Sequence, residues 1–217
     1  MYSRHLEKKK AELKLNTSQK EIVIGTMLGD GHLETQNSGR TYRLKIEHSL
    51  KQKEYVDWLH KHFADFVETP PRSRVRNVDF GQKGKGVYEL YGFQTLSIGS
   101  WRFYAQQFYV KGKKVVPRQI KRWLTPLALA VWFMDDGSIK SKAHRTMLLN
   151  TQGFLFTDIQ RLLLALRERY KMETSIRKQV EGNQLYVVSG SAGKFFSVIA
   201  PHIIPSMRYK LPKVWLT

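Results

Sequence analysis

The 217-residue sequence predicts an α+β protein made of two related halves, each running helix, two strands, helix, two strands, helix. Three observations lead there. Two apolar runs, Ile22 to Gly31 and Leu127 to Gly137, each close on an Asp-Gly pair and are too apolar on every side for a surface helix. Four pairs of strand-like segments, each with a turn signal between its members, follow these runs two by two. The order Asp, hairpin, helix, hairpin, helix, Lys then recurs, from Asp30 to Lys114 and again from Asp136 to Lys210, as expected of a pseudo-twofold repeat. The expected boundaries are an N-terminal half over 1–110, a connection over 111–125 and a C-terminal half over 126–217.

The charged stretch 1–16, with Lys8, Lys9, Lys10 and Lys14 around Leu6, Leu13 and Leu15, reads as a solvated helix or arm. Ser18 and Glu21 have capping-box spacing ahead of a helix at about 19–29. His32 to Gln36 and Tyr42 to His48, joined by Asn37-Ser38-Gly39, form the first hairpin. Along its second strand Arg43, Lys45 and Glu47 alternate with Leu44, Ile46 and His48, so one face is charged while the other packs. Tyr55, Leu59, Phe63 and Phe66 then recur at helical spacing, a core-facing stripe ended by Pro70-Pro71. Arg72 to Arg76 and Val87 to Phe93 make the second hairpin, with its tip at 81–86. Arg72, Arg74 and Arg76 fall at period two and project from one strand face, an arrangement suited to a nucleic-acid groove. Ser100 to Tyr109 reads as an aromatic-rich packing helix, and the Lys-rich residues 110–125 as a connection.

The second half starts with a helix from Pro126, a good first-turn residue, to Asp136. Ile139 to Lys142 and Arg145 to Asn150 form the third hairpin, turning near Ala143-His144. Asp158 to Tyr170 is an amphipathic helix capped by Thr157. Thr174 to Val180 and Gln184 to Val188 flank Glu181-Gly182-Asn183 as the fourth hairpin, and Ala192 to Ala200 closes the half.

The Asp-Gly pairs carry the chemistry. Gly31 and Gly137 fit a left-handed residue just past a helix end, which puts Asp30 and Asp136 at the last helical position. A carboxylate there faces carbonyls that already present partial negative charge. A cation resolves the conflict, and carboxylate and carbonyl oxygens favour Mg²⁺ or Ca²⁺ over zinc. Asp-Gly is also a common turn signal, so a plain helix running into a strand remains the alternative at this point.

Val23 to Gly31 and Leu129 to Gly137 fill the nine positions of the motif of the LAGLIDADG homing endonucleases, and the chain resembles the single-chain, two-motif form of that family. The stretches Leu124 to Gly137, Leu149 to Gly153 and Met207 to Pro212 resemble its intron-encoded members, so matching blocks spread from about residue 20 to 212. Two departures stand out: Val131 replaces a small residue that lets the motif helices approach, and Asp135 stands where the first copy has Gly29. The resemblance implies that the halves pack through the two motif helices and that the antiparallel sheets form a DNA-binding saddle. It implies metal at Asp30 and Asp136, with the Gly29 and Asp135 carbonyls beside them. The ion would be Mg²⁺, with Mn²⁺ able to replace it and Ca²⁺ supporting binding without cleavage. Lys114 matches a basic residue near the scissile phosphates, and Lys210 stands at the corresponding place in the second half. Gln152, and His48 or Ser49 in the first half, are candidates for holding water beside the metal. The hairpins supply the residues expected on DNA: Arg40, Arg43, Lys45, Arg72, Arg74, Arg76, Lys83 and Lys85 from the first half. Lys140, Lys142, Arg145, Arg177 and Lys178 come from the second.

Composition agrees with a polyanionic partner. Formal net charge is +19, from 37 Lys and Arg against 18 Asp and Glu, and the excess is spread over both halves. With no cysteine, disulfide scaffolds, cysteine-based zinc sites and thiol chemistry are excluded. The seven His show no HExxH spacing. There is no signal peptide, no 18-residue apolar span and no amphipathic basic helix with a clean apolar face, so a soluble, intracellular protein that avoids membranes is expected. Two motifs in one chain imply action as a monomer on double-stranded DNA, making a double-strand break with short 3′ overhangs. Two other functions stay open: an intron maturase that binds intron RNA, and a catalytically silent DNA-binding protein.

Overall fold

The computed structural model describes residues 2–79, 85–139, 146–212 and 215. The chain forms two compact units, one from Met1–Gln19 with Asp30–Phe103 and one from Lys20–Gly29 with Tyr104–Thr217.

The first unit holds α1 (Tyr2–Glu12), the start of α2 (Thr17–Leu28), β1 (His32–Glu34), β2 (Arg43–Ser49), α3 (Lys53–His62), β3 (Arg72–Asp79), β4 (Lys85–Gln94) and the start of α4 (Trp101–Phe108). Its four strands form one antiparallel sheet in the order β1-β2-β4-β3. The alternation in β2 is the expected one, with Leu44, Ile46 and His48 buried and Arg43, Lys45 and Glu47 half-exposed. The helical stripe also packs as its spacing predicts: Tyr55, Leu59, Phe63 and Phe66 are all buried, and the Phe63 and Phe66 rings meet Trp101 at 6.2 and 5.7 Å. The first hairpin turns through Ser38 and Gly39, both with positive φ. The cap of α2 differs from expectation. Asn16 Oδ1 accepts from the Gln19 amide and Gln19 Oε1 accepts from the Asn16 amide, each at 2.9 Å. This is a reciprocal capping box two residues before the Ser18 and Glu21 pair, so the helix starts earlier.

The second unit holds the rest of α2 and α4, β5 (Tyr109–Val110), β6 (Lys113–Lys114), α5 (Ile120–Trp123), α6 (Pro126–Asp136), β7 (Gly137–Ile139), β8 (Met147–Asn150), α7 (Phe156–Tyr170), β9 (Thr174–Gln179), β10 (Gly182–Val187) and α8 (Ser189–Ile199). Its sheet, β7-β8-β10-β9, repeats the order of the first. Thr125 caps α6 by accepting from the Ala128 amide, with Pro126 in the first turn, and every residue from Ala128 to Asp135 is buried. A helix covered on all sides accounts for its lack of a polar face. Residues 110–125 are structured: β5 and β6 form a two-residue-loop hairpin, and α5 packs on α7. The expected Thr157 cap of α7 is absent. Leu155 holds the N-cap position without a side-chain hydrogen bond, because the helix begins one residue before Thr157. β10 begins at Gly182, whose φ of 131° takes the turn, so the fourth hairpin is tighter than expected. The turn of the third hairpin lies outside the described residues. No described helix is long and apolar enough to cross a membrane.

Candidate functional site

The site of the second unit is built on the two motif helices. Gly25 of α2 lies against α6: a β-carbon there would stand 2.6 Å from the Ala128 carbonyl oxygen and 2.6 Å from Val131 Cβ. The glycine in one helix therefore makes the room that Val131 takes in the other, and the packing is asymmetric. One turn on, a β-carbon at Gly29 would meet Asp135 Cβ at 2.4 Å. Asp135 is buried against that glycine, 8% exposed, while Asp136 beside it is half-buried.

The Asp-Gly ends are not left-handed caps. Gly137 is extended, with φ −80° and ψ 150°, and Gly31 is absent from the positive-φ glycines. Gly137 is required by space, since a β-carbon would meet the Phe133 ring and carbonyl at 2.2 and 2.4 Å. Asp136 ends α6 as expected, but α2 stops at Leu28, so Asp30 stands two residues beyond its helix.

Two lysines close on these helix ends. The β5–β6 hairpin turns through Lys111 and Gly112, with φ of 49° and 75°, the pair of positive values that matches strand twist. It pairs Lys114 with Tyr109 and brings Lys114 Nζ to the Gly29 carbonyl at 2.6 Å. Lys210 ends the 3₁₀ helix Pro205–Lys210 and donates to the carbonyls of Met134 at 2.5 Å and Asp135 at 2.8 Å. Gly29 and Asp135 each precede a motif aspartate, so the contacts are equivalent although hairpin and helix are not. Helix C-termini present partial negative charge, which is the physical reason a cation settles at each.

In the first unit, Asp30 has a side chain 48% exposed, and its Oδ2 lies 3.3 Å from Nδ1 of His48, which is 2% exposed. Ser49 Oγ accepts from the Lys51 amide at 3.4 Å and starts a 3₁₀ turn. The register relates the halves: His32 pairs with Lys45 and Ser138 with Leu148, both first partners lying two residues past a motif aspartate. Thr151 is thus the counterpart of His48, and Gln152 of Ser49. Thr151 Oγ1 donates to the Asn183 carbonyl at 2.8 Å, and Gln152 lies half-buried against Gly182.

The basic residues fall into distinct settings. Arg72, Arg74 and Arg76 are exposed on the edge strand β3, yet Arg74 is held by a two-pronged pair with Glu47 on β2, Nε and Nη2 each 2.5 Å from a carboxylate oxygen. That hydrogen bond holds the Glu47 carboxyl below its ordinary range. Gly92 on β4 pairs with Glu47 on one side and Arg72 on the other, and a β-carbon there would stand 2.3 Å from the Ile46 carbonyl oxygen. Arg43 pairs with Glu34 at 2.5 Å. Arg40 is exposed in the first turn. Arg177 and Lys178 are neighbours on β9 and face opposite sides of the sheet; Arg177 lies flat on Tyr186, 3.6 Å from the ring centre. Lys83, Lys140, Lys142 and Arg145 lie outside the described residues, and Lys85 is described by its backbone alone.

Two buried apolar helices whose ends each meet a lysine, with two antiparallel sheets of one order, define a scaffold of two repeated motifs. The chain belongs to the LAGLIDADG DNA endonuclease family, which it matches over residues 20–196. Among its relatives, the cytochrome b mRNA maturase bI2 of Saccharomyces cerevisiae is 32% identical over 91% of this chain, which spans 48% of that protein. The DNA endonuclease I-ChuI of Chlamydomonas applanata is 30% identical over 92% of this chain and 96% of its own. The homing endonuclease I-WcaI, solved bound to its DNA recognition sequence, superposes with a TM-score of 0.85 at 25% identity, over 95% of this chain and 91% of that one.

Proposed function

We propose that this chain is a site-specific homing endonuclease that hydrolyses both strands of a long, pseudo-palindromic DNA site, leaving short 3′ overhangs. The observation that carries the reading is the matched pair of lysines, Lys114 on the Gly29 carbonyl and Lys210 on the Asp135 carbonyl, each beside a motif aspartate. Two strands need two centres, and the chain carries an aspartate and a lysine in each half, Asp30 with Lys114 and Asp136 with Lys210. The likeness to I-ChuI and I-WcaI supports the same activity.

The donor set fits a hard divalent cation. Asp30, Asp136 and the carbonyls of Gly29 and Asp135 offer oxygen, and those carbonyls already accept cationic groups. Mg²⁺ commonly uses one or two carboxylates and takes its other ligands from water and substrate phosphate. Bound there, the ion supplies Lewis-acid activation of water and of the scissile phosphate. Lys114 and Lys210 hold positive charge where the phosphate gains negative charge, one for each strand. Gln152 orients the attacking water in the second half, and His48 fixes the Asp30 carboxylate in the first.

A second reading, RNA binding as a maturase, is supported by the 32% identity to bI2. One experiment separates them. A randomised duplex DNA library is incubated with the protein in Mg²⁺ and in Ca²⁺, and cut ends are sequenced. One long motif cut on both strands in Mg²⁺ alone is expected. Tight binding of structured intron RNA with no enriched cut ends would replace the endonuclease with the maturase.

A further inference from the structure

The two sheets repeat one topology but not one chemistry. Glu47 pairs with Gly92 and Gly92 with Arg72; Asn150 pairs with Gln184 and Gln184 with Arg177. With the register already fixed by β1 and β7, Lys45 corresponds to Leu148, Glu47 to Asn150 and Arg72 to Arg177. Two residues on along each edge strand, Arg74 corresponds to Gln179. The first sheet thus carries Lys45 and Arg74 where the second carries an aliphatic and an amide.

Resting on the endonuclease reading above, we infer that the first unit reads a G·C-rich half of the DNA site and the second an A·T-rich half. Arg and Lys are matched to the O6 and N7 acceptors of guanine. On the first sheet, the side-chain gap at Gly92 leaves a groove of about 370 Å³ between Lys45, Glu47, Arg72 and Arg74. Arg74 spends two N–H donors on Glu47, which holds the guanidinium in place with its remaining donors available, and a carboxylate in that position accepts from cytosine N4.

The second sheet offers the complementary code. Gln184 Nε2 donates to Asn150 Oδ1 at 2.6 Å, which fixes both amides. That bond leaves the Asn150 amide nitrogen as a donor and the Gln184 side-chain oxygen as an acceptor. Adenine presents an acceptor at N7 and a donor at N6, which that pair matches. Leu148 is opposite Tyr186 on the same face and supplies the apolar contact that a thymine methyl takes. Arg177 is the one described cation among these positions, and it is laid on Tyr186.

The test is selection of bound duplexes from a randomised library by the full chain in Ca²⁺, followed by sequencing. A motif with one G·C-rich and one A·T-rich half is expected. Asn150→Ala is expected to lower discrimination about ten- to a hundredfold at positions in the A·T-rich half alone. Gln179→Arg, at an exposed site where folding is not at stake, is expected to bring guanine into that half. Halves of equal composition, or an Asn150→Ala change falling in the G·C-rich half, would overturn the assignment while leaving the endonuclease standing. No enriched duplex at all would overturn the endonuclease reading and this inference with it.

Discussion

Gly25 and Val131 touch at the limit of packing: a β-carbon at residue 25 would stand 2.6 Å from Val131 Cβ. Gly25→Ala is expected to destabilise the chain by about 1–3 kcal/mol through overpacking. At about 2–4 °C per kcal/mol for a chain of this size, thermal unfolding detects it. Val131→Ala in the same chain should recover part of the loss. Equal losses with and without that second change would show that the two residues do not share one contact.

How much of this was legible in the sequence depends on the kind of interaction. The motif helices and the strand pairs follow from apolar runs and period-two alternation, which act locally, whereas the strand order, with β2 beside β4 and β8 beside β10, does not. The capping box was misplaced because Asn16 with Gln19 and Ser18 with Glu21 have the same spacing, and spacing alone does not choose between them. The hairpin presenting Lys114 went unread because its strands are two residues long and Lys111-Gly112 is a weak turn signal. Glu47 and Arg74 meet across an intervening strand, so their pairing depends on strand order rather than on neighbouring residues. Asp-Gly suggested a left-handed glycine; Gly137 is there because Phe133 occupies the space.

Lys114→Met and Lys210→Met should each slow cleavage of one strand by about 10²–10³-fold, the scale of losing one charge-stabilising donor. On supercoiled plasmid bearing the site, each variant should accumulate nicked circles, with opposite strands cut. Equal slowing of both strands by either variant would show that the lysines do not serve separate centres.

Asp30→Asn and Asp136→Asn should each abolish double-strand cleavage while leaving duplex binding intact in gel-shift titration. The replaced oxygens are acidic and the partner is an anion, so binding has no electrostatic reason to weaken. Retained linear product would remove these aspartates from the reaction.

Arg74 holds the Glu47 carboxyl below its ordinary value of 4.5 by hydrogen bonding and charge. A depressed folded-state value means the pair stabilises the protein above about pH 4.5 and that this is lost as pH falls through the folded value. Unfolding midpoints of wild type and Glu47→Gln should therefore differ at pH 7 and converge in acid. Equal midpoints at pH 7 would show that the ion pair contributes nothing to folding.

The first motif helix clusters with Tyr104–Thr217, while residues 30–103 form the body of the other unit. For recombination between relatives, this makes the exchangeable cassette internal. Grafting 30–103 would transplant a whole sheet while keeping Gly25 on Val131 and Lys114 on Gly29. A crossover in the 110–125 stretch would instead join helices that had never been fitted to each other.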